Sequence, residues 1–111
     1  MTREYLPDEE APRREDVDQM TGPVLLEFGT PWCGFCQAAQ GDIVTLLAEY
    51  PAVRHIRIED GPGRRLGRSF RVTLWPNLVF LKDGAVVRQL ARPNAQEMRD
   101  AFVALAGPAG D

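Results

Sequence analysis

The two cysteines of the chain, Cys33 and Cys36, constrain its fold more than any other feature of the sequence. They come shortly after residues 23–28, a run that is apolar at nearly every position and is typical of a strand covered on both faces of a sheet. After the cysteines, apolar residues recur at helical spacing as far as Tyr50. The sequence therefore predicts a buried strand, a tight turn that carries the cysteines, and a helix that begins at them.

The cysteine pair is better suited to chemistry than to bracing the fold. Only two residues separate the cysteines, so a bond between them would remove little chain entropy. A chain of 111 residues is also long enough to form one domain with an ordinary hydrophobic core and without a disulfide framework. In a reducing compartment such a pair indicates either redox catalysis or metal binding.

The position of the pair favours redox catalysis. A thiol at the start of a helix meets unpaired backbone N–H groups and the positive end of the helix dipole, and both favour the thiolate. We therefore interpret Cys33 as a nucleophile and Cys36, nearly one helical turn later, as the thiol that resolves a mixed disulfide. The alternative is half of a zinc site, although only His55 and carboxylates remain to complete the four ligands of a closed site. We expect no bound metal.

Further patterns along the chain predict a single α/β domain. They indicate helices over residues 13–20, 64–70 and 95–105, and strands over residues 53–58, 77–82 and 85–90. Asp83-Gly84 between the last two strands is a hairpin signal, whereas the first two strands need a crossover and are therefore parallel. Helices must then cover both faces of a mixed sheet. We divide the chain into a polar arm with a short helix (1–21), a domain core (22–106) and a tail (107–111).

Composition excludes several other classes of protein. The formal net charge of −3 argues against a nucleic-acid-binding domain, which is normally basic. No apolar run approaches the twenty or so residues of a membrane-spanning helix, and the acidic start of the chain is unlike a secretory signal. We therefore expect a cytoplasmic protein with no membrane or nucleic-acid partner, the alternative being a processed secreted form. We interpret the arginine cluster at 64, 65, 68 and 71 as a solvated helix face, with binding of phosphate or an acidic partner as the alternative.

Together these features resemble the thioredoxin family over about residues 22–105. The matching residues are Glu27-Phe28, the segment Trp32-Cys33-Gly34-Phe35-Cys36, Pro76 just before a strand, and the hairpin Lys82-Asp83-Gly84. The resemblance implies a thioredoxin fold, in which helices flank both faces of a mixed central β-sheet. It also implies that the Trp75–Pro76 peptide is cis and faces the cysteine pair, the alternative being an ordinary trans proline at an edge strand.

The resemblance also implies roles for individual residues. Glu27 stands where the family has a buried acid, usually aspartate, that exchanges a proton with the resolving cysteine, here Cys36. A carboxylate in an apolar strand is expected to be functional or paired, the alternative being a solvent-facing glutamate. His55 stands where many members carry a lysine near that acid, but we interpret it as structural. Five residues are expected to shape the substrate groove, namely Trp32, Gly34, Phe35, Trp75 and Pro76.

The leading prediction is an enzyme, a monomeric thiol-disulfide oxidoreductase. The Cys33–Cys36 couple would need no cofactor, and the partners would be protein disulfides and a reductase or another dithiol. Phe35 replaces the proline of the usual Trp-Cys-Gly-Pro-Cys segment, which leaves open a less reducing oxidant or isomerase. Trp75, Asn77 and Arg92 are also unusual for the family, so a binding or assembly factor with secondary redox activity is a further alternative.

Overall fold

The computed structural model describes residues 4–110, so the first three residues of the predicted arm and the last residue of the predicted tail lie outside the described residues. Each predicted strand and α-helix is present, with its ends shifted by at most two residues. In chain order the elements are a 3₁₀-helix (Asp8–Glu10), α1 (Arg14–Asp18), β1 (Pro23–Gly29), α2 (Gly34–Glu49), β2 (Arg54–Glu59), α3 (Arg65–Ser69), β3 (Asn77–Lys82), β4 (Ala85–Ala91) and α4 (Ala95–Ala106).

The four strands form one mixed sheet in the order β2-β1-β3-β4. β1 and β2 are parallel, because the chain crosses over through α2 between them. The other two pairings are antiparallel. Asp83 and Gly84, which join β3 to β4, have φ values of +50° and +81°, the left-handed conformation that a tight hairpin turn requires. The predicted thioredoxin fold is thus confirmed.

Helices cover both faces of the sheet. α2 and α4 pack on one face, where Phe80 and Phe102 meet edge to face with ring centroids 5.2 Å apart. α1 and α3 pack on the other face through Val17 and Leu66, around the fully buried ring of Phe28. No helix within residues 4–110 is long and apolar enough to cross a membrane.

The N-terminal arm docks on the outer edge of β2. Leu6 donates a backbone hydrogen bond to Arg57 at 2.8 Å and accepts one from Glu59 at 2.9 Å, which makes a short parallel bridge to Ile58. The polar sequence of the arm predicts an extended segment but not this docking. The bridge places the preceding residue, Tyr5, against the face of the sheet that α2 covers.

Candidate active site

The two thiols lie at the N-terminus of α2, as the sequence predicts. Cys33 is the N-cap residue of the helix, and its Sγ accepts a hydrogen bond from the backbone N–H of Cys36 at 3.2 Å. Both cysteines are free thiols. Cys33 is 7% exposed and Cys36 is 1% exposed, so Cys33 is the thiol that an incoming substrate reaches first.

Cys36 is held in its thiol form at neutral pH. Burial, helped by the hydrogen bond with Cys33, raises the pKa of Cys36 to about 11, while the backbone of Thr30 and the hydroxyl of Tyr5 oppose that rise. A thiol must lose its proton before it can attack a disulfide. The second thiol of the pair therefore depends on neighbouring groups that accept its proton or stabilise its thiolate.

Glu27 supplies a carboxylate under α2. Side chains alternate along a strand, so Leu25, Glu27 and Gly29 of β1 all face this helix. The Glu27 side chain is fully buried, which excludes the solvent-facing alternative. Oε2 accepts a hydrogen bond from Gln40 at 2.7 Å, and Gln40 also donates to the backbone carbonyl of Cys36 at 3.2 Å. Gln40 thus links the carboxylate to the turn of helix that carries Cys36.

Two cationic or ionisable side chains of β2 meet the other oxygen of Glu27. His55 Nε2 lies 2.7 Å from Oε1, and Arg57 Nε lies 3.3 Å from the same atom. Burial by itself raises the pKa of Glu27, but the hydrogen bond from His55, the charge of Arg57 and the hydrogen bond from Gln40 outweigh it and lower the pKa below its ordinary value. Glu27 is therefore an ionised carboxylate at neutral pH.

Sequence reasoning found part of this cluster. The family position of His55 implies a place near the buried acid, and the structure puts it there; its interpretation as a structural residue stays a prediction. Arg57 is not singled out by the sequence, although β1 and β2 pair with Glu27 opposite Arg57, a register that a parallel alignment of the two strands would have suggested. Gln40 lies one helical turn after Cys36, which was the available signal for its position.

A tyrosine of the arm also reaches the cysteine pair. A Cβ atom built on Gly29 would lie 2.6 Å from Cys36 Sγ and 3.0 Å from Tyr5 Oη, so both atoms border the space that the missing side chain leaves open. The guanidinium carbon of Arg57 lies 3.9 Å from the centroid of the Tyr5 ring, which is cation–π geometry. No periodic pattern in the arm signals this position.

Exposed aromatic rings surround the entrance to Cys33. Trp32 is 72% exposed and Phe35 is 58% exposed. The rings of Trp32 and Trp75 meet nearly edge to face, with centroids 5.7 Å apart and an interplanar angle of 76°. The Trp75–Pro76 peptide is cis, as the resemblance implies, and Trp75 Nε1 donates a hydrogen bond to Asp60 Oδ2 at 2.8 Å.

Arg92 links Trp75 to Phe35 beside the entrance to Cys33. Its Nε donates to the backbone carbonyl of Trp75 at 2.8 Å, and its guanidinium carbon lies 4.0 Å from the centroid of the Phe35 ring. A cavity of about 180 Å³ lies beside it, lined in part by Phe35, Pro76 and Met98. A Cβ on Gly34 would meet no atom within 4 Å, so the backbone between the cysteines is open to an approaching chain.

Metal ligands are not clustered in the described part of the chain. Within residues 4–110, no group of three or more His, Cys, Asp or Glu side chains is placed to hold a metal ion.

The arginine cluster is largely solvated, since Arg65, Arg68 and Arg71 are exposed and Arg64 makes an ion pair with Glu59 at 3.7 Å.

The chain is similar to known proteins in sequence and in structure. The family model described as Thioredoxin matches residues 7–104. Thioredoxin 2 from Pseudomonas aeruginosa PAO1 in its reduced form is 51% identical with a TM-score of 0.84, over 96% of this chain and 98% of that one. Thioredoxin from Chlamydia trachomatis is 30% identical over 62% of this chain and 68% of its own length. Protein disulfide-isomerase A2 from Homo sapiens is 39% identical over 55% of this chain and 12% of its own length.

Proposed function

This chain belongs to the thioredoxin family and is a thiol-disulfide oxidoreductase, and we propose that Cys33 is its nucleophile and Cys36 its resolving thiol. Proteins of this family act on protein disulfides, are reduced in turn by reductases, and work through their own cysteine pair without a cofactor. The single observation that carries the assignment is the placement of two free thiols at the N-terminus of α2, above a buried carboxylate.

The proposed reaction has two exchange steps. The Cys33 thiolate attacks one sulfur of a substrate disulfide, forms a mixed disulfide with it, and releases the other substrate sulfur as a thiolate. Cys36 then loses its proton and attacks Cys33 Sγ, which forms the Cys33–Cys36 disulfide and releases the second substrate sulfur. The substrate gains two electrons and two protons, and the cysteine pair loses them.

Glu27 is proposed to accept the proton of Cys36 and to pass it on to the departing substrate sulfur. Its lowered pKa keeps it ionised, and so able to accept a proton, throughout the neutral range. The hydrogen bonds from His55 and Gln40 fix the orientation of the carboxylate. A carboxylate held in this way needs little rearrangement during the reaction, which is the advantage of a preorganised site.

The substrate is proposed to be an extended protein segment that lies across Trp32, Gly34, Phe35, Trp75 and Pro76. Exposed aromatic surface next to a reactive thiol is suited to apolar side chains that flank a disulfide. The open backbone at Gly34 allows close approach to Cys33.

Turnover of insulin disulfides by dithiothreitol tests the proposed function. The wild-type protein should accelerate the reaction, and Cys33→Ser should abolish the acceleration. Cys36→Ser is the matched control, because it keeps the nucleophile and, when incubated with insulin after removal of dithiothreitol, should accumulate the mixed disulfide, visible on a non-reducing gel. A binding or assembly factor would instead show no thiol turnover with any supplied reductant, and that result would refute the assignment.

A less reducing activity, as an oxidant or isomerase, is the second candidate. Phe35 between the cysteines favours it, as does the similarity to one segment of protein disulfide-isomerase A2. Equilibration with glutathione separates the two, because reduction potentials run from about −270 mV for thioredoxin to about −180 mV for protein disulfide isomerase. A potential near the lower end assigns a reductant, and one near the upper end an isomerase.

We also propose that the protein works as a monomer in the cytoplasm, without a membrane or nucleic-acid partner. The net charge of −3 supports the absence of a nucleic-acid partner, and a cysteine pair suited to redox catalysis is typical of a reducing compartment. Light scattering on the reduced protein tests the oligomeric state, and fractionation of cells that express the chain tests the compartment.

A further inference from the structure

The hydroxyl of Tyr5 is a buried polar group that the proposed reaction does not yet use. It is inaccessible to solvent, and no partner among the described residues meets ordinary hydrogen-bond length and angle, although Cys36 and Arg57 are close enough to interact with it weakly. A buried donor without an acceptor is costly, and native proteins rarely keep one without a reason. The backbone bridge at Leu6 fixes the arm beside it, so the position of the ring is built into the fold.

Gly29 lets this hydroxyl share a space with the resolving thiol. Tyr5 Oη and Cys36 Sγ both lie close to the point that a Cβ of residue 29 would occupy, at 3.0 and 2.6 Å from it. The distance between the oxygen and the sulfur therefore cannot exceed the sum of these two values. A side chain at residue 29 would collide with the sulfur. The glycine at the end of β1 therefore leaves room for a small rotation of either side chain to bring the two atoms together.

The surrounding charges keep Tyr5 a proton donor. Three ionisable groups face it: Glu27 of β1, Arg57 of β2, which stacks on its ring, and Cys36 of α2. Two more lie behind these, since His55 contacts Glu27 and Cys33 contacts Cys36. Burial first, and then the negative charges of Glu27 and of an ionised Cys36, raise the pKa of Tyr5 well above its ordinary value. The phenol thus keeps its proton at any pH at which Cys36 reacts.

We propose that the Tyr5 hydroxyl donates a hydrogen bond to the thiolate of Cys36 as Cys36 attacks the mixed disulfide, so that the N-terminal arm completes the active site. The step deepens the proposed function and rests on Cys36 as the resolving thiol. Tyr5 keeps its own proton throughout. The proton of Cys36 goes to Glu27 and then to the substrate sulfur, while the Cys36–Cys33 bond forms and the bond from Cys33 to the substrate breaks.

Single-turnover reaction of the reduced protein with 5,5′-dithiobis(2-nitrobenzoate) tests the proposal. Attack by Cys33 releases one coloured thiolate, and resolution by Cys36 releases the second, so the two steps appear as separate phases at 412 nm. Tyr5→Phe keeps the ring on Arg57 but removes the donor. We expect the second phase to slow by about ten-fold at each pH from 6 to 9, because a hydrogen bond to a charged group is worth roughly one pKa unit or more. The first phase should be unchanged.

Tyr50→Phe is the matched control. Tyr50 is the only other tyrosine of the chain, and it lies at the end of α2 that is remote from the cysteines. Its hydroxyl donates a hydrogen bond to the carbonyl of Gly107. Neither phase should change in this variant. The proposal would be overturned if the second phase of Tyr5→Phe stayed within two-fold of the wild-type rate. It would also be overturned if both phases slowed equally, because that result indicates a structural role for the hydroxyl. A wild-type protein that releases only one equivalent of coloured thiolate would refute the role of Cys36 itself, and that result is distinguishable from both.

Discussion

Replacing Glu27 by glutamine removes one charge from the buried cluster and keeps its shape. Oε1 of the native carboxylate lies 2.7 Å from His55 and 3.3 Å from Arg57, and Oε2 accepts a hydrogen bond from Gln40 at 2.7 Å. The amide of glutamine has one acceptor oxygen and one donor nitrogen. In the native arrangement of the partners, the nitrogen would therefore face a donor, either Gln40 on one side or His55 and Arg57 on the other. The Arg57 side chain, itself 7% exposed, also loses a neutralising charge.

Removal of one partner from a buried ion pair costs about 3–5 kcal/mol. We expect the free energy of unfolding of Glu27→Gln at pH 7 to fall toward the lower end of that range, because the guanidinium of Arg57 keeps its contact with the Tyr5 ring. With a urea m-value of about 1–3 kcal/mol/M, the unfolding midpoint should fall by on the order of 2 M. Equilibrium urea unfolding of the reduced proteins, followed by circular dichroism, measures the change.

Glu49→Gln is the matched control for this experiment. Glu49 also pairs with an arginine, Arg99 at 3.1 Å, but the pair lies on the surface, where ion pairs contribute little. Its urea midpoint should stay near that of wild type. If Glu27→Gln unfolds at the same urea concentration as Glu49→Gln, the carboxylate of Glu27 is not the charged partner that holds this part of the core, and the reasoning is wrong.

The pH dependence gives a second test of the same reasoning. The pKa of Glu27 is lower in the folded protein than its ordinary value, so its ionisation stabilises the fold above the unfolded pKa of about 4.3. That stabilisation is lost as the pH falls through the lower, folded pKa. The difference in stability between wild type and Glu27→Gln should therefore be full near neutrality and shrink below about pH 4.3.

Three further predictions concern the reaction and the groove. Because the pKa of Cys36 is raised to about 11 and that of Glu27 is lowered, the thiol and the carboxylate both persist between pH 7 and 9, and direct proton transfer between them predicts a resolution rate that is level over this range; a rate that rises about ten-fold per pH unit would contradict the role proposed for Glu27. Trp32→Ala should raise the KM for insulin several-fold with little change in the urea midpoint, because Trp32 is 72% exposed; an unchanged KM would remove Trp32 from the groove. In Gly67→Ala the new Cβ would collide with the carboxylate of Asp60. The hydrogen bond from the Trp75 indole to Asp60 should therefore break. An unaltered indole N–H resonance of Trp75 in NMR spectra would contradict this prediction.

The features that sequence patterns predicted here depend on neighbouring residues along the chain. Asp83-Gly84 predicts the hairpin because the turn itself requires the two positive φ values that are observed. Asn94 and Glu97 form the capping box at the start of α4 that their spacing predicts, with hydrogen bonds of 2.8 and 2.9 Å. Such signals need no knowledge of the rest of the fold.

The residues that the sequence did not reveal are those that long-range packing brings to the site. Tyr5 belongs to an arm without periodicity, and it reaches Cys36 only because Leu6 pairs with β2 and Gly29 lacks a side chain. Arg57 alternates with apolar residues, as polar residues do in any half-buried strand. Its contact with Glu27 becomes apparent only once β1 and β2 are aligned in register.

The two groups that are proposed to exchange a proton have pKa values that are shifted in opposite directions. Burial raises the pKa of Cys36 to about 11, whereas the partners of Glu27 lower its pKa. Transfer of a proton from Cys36 to Glu27 is therefore unfavourable, so Glu27 would hold the proton only in passing. The departing substrate thiolate, with an ordinary pKa of about 8.5, is the better final acceptor. The two shifts favour a mechanism in which the proton moves on as the mixed disulfide breaks, and a donor that stabilises the Cys36 thiolate, as proposed for Tyr5, would assist the attack.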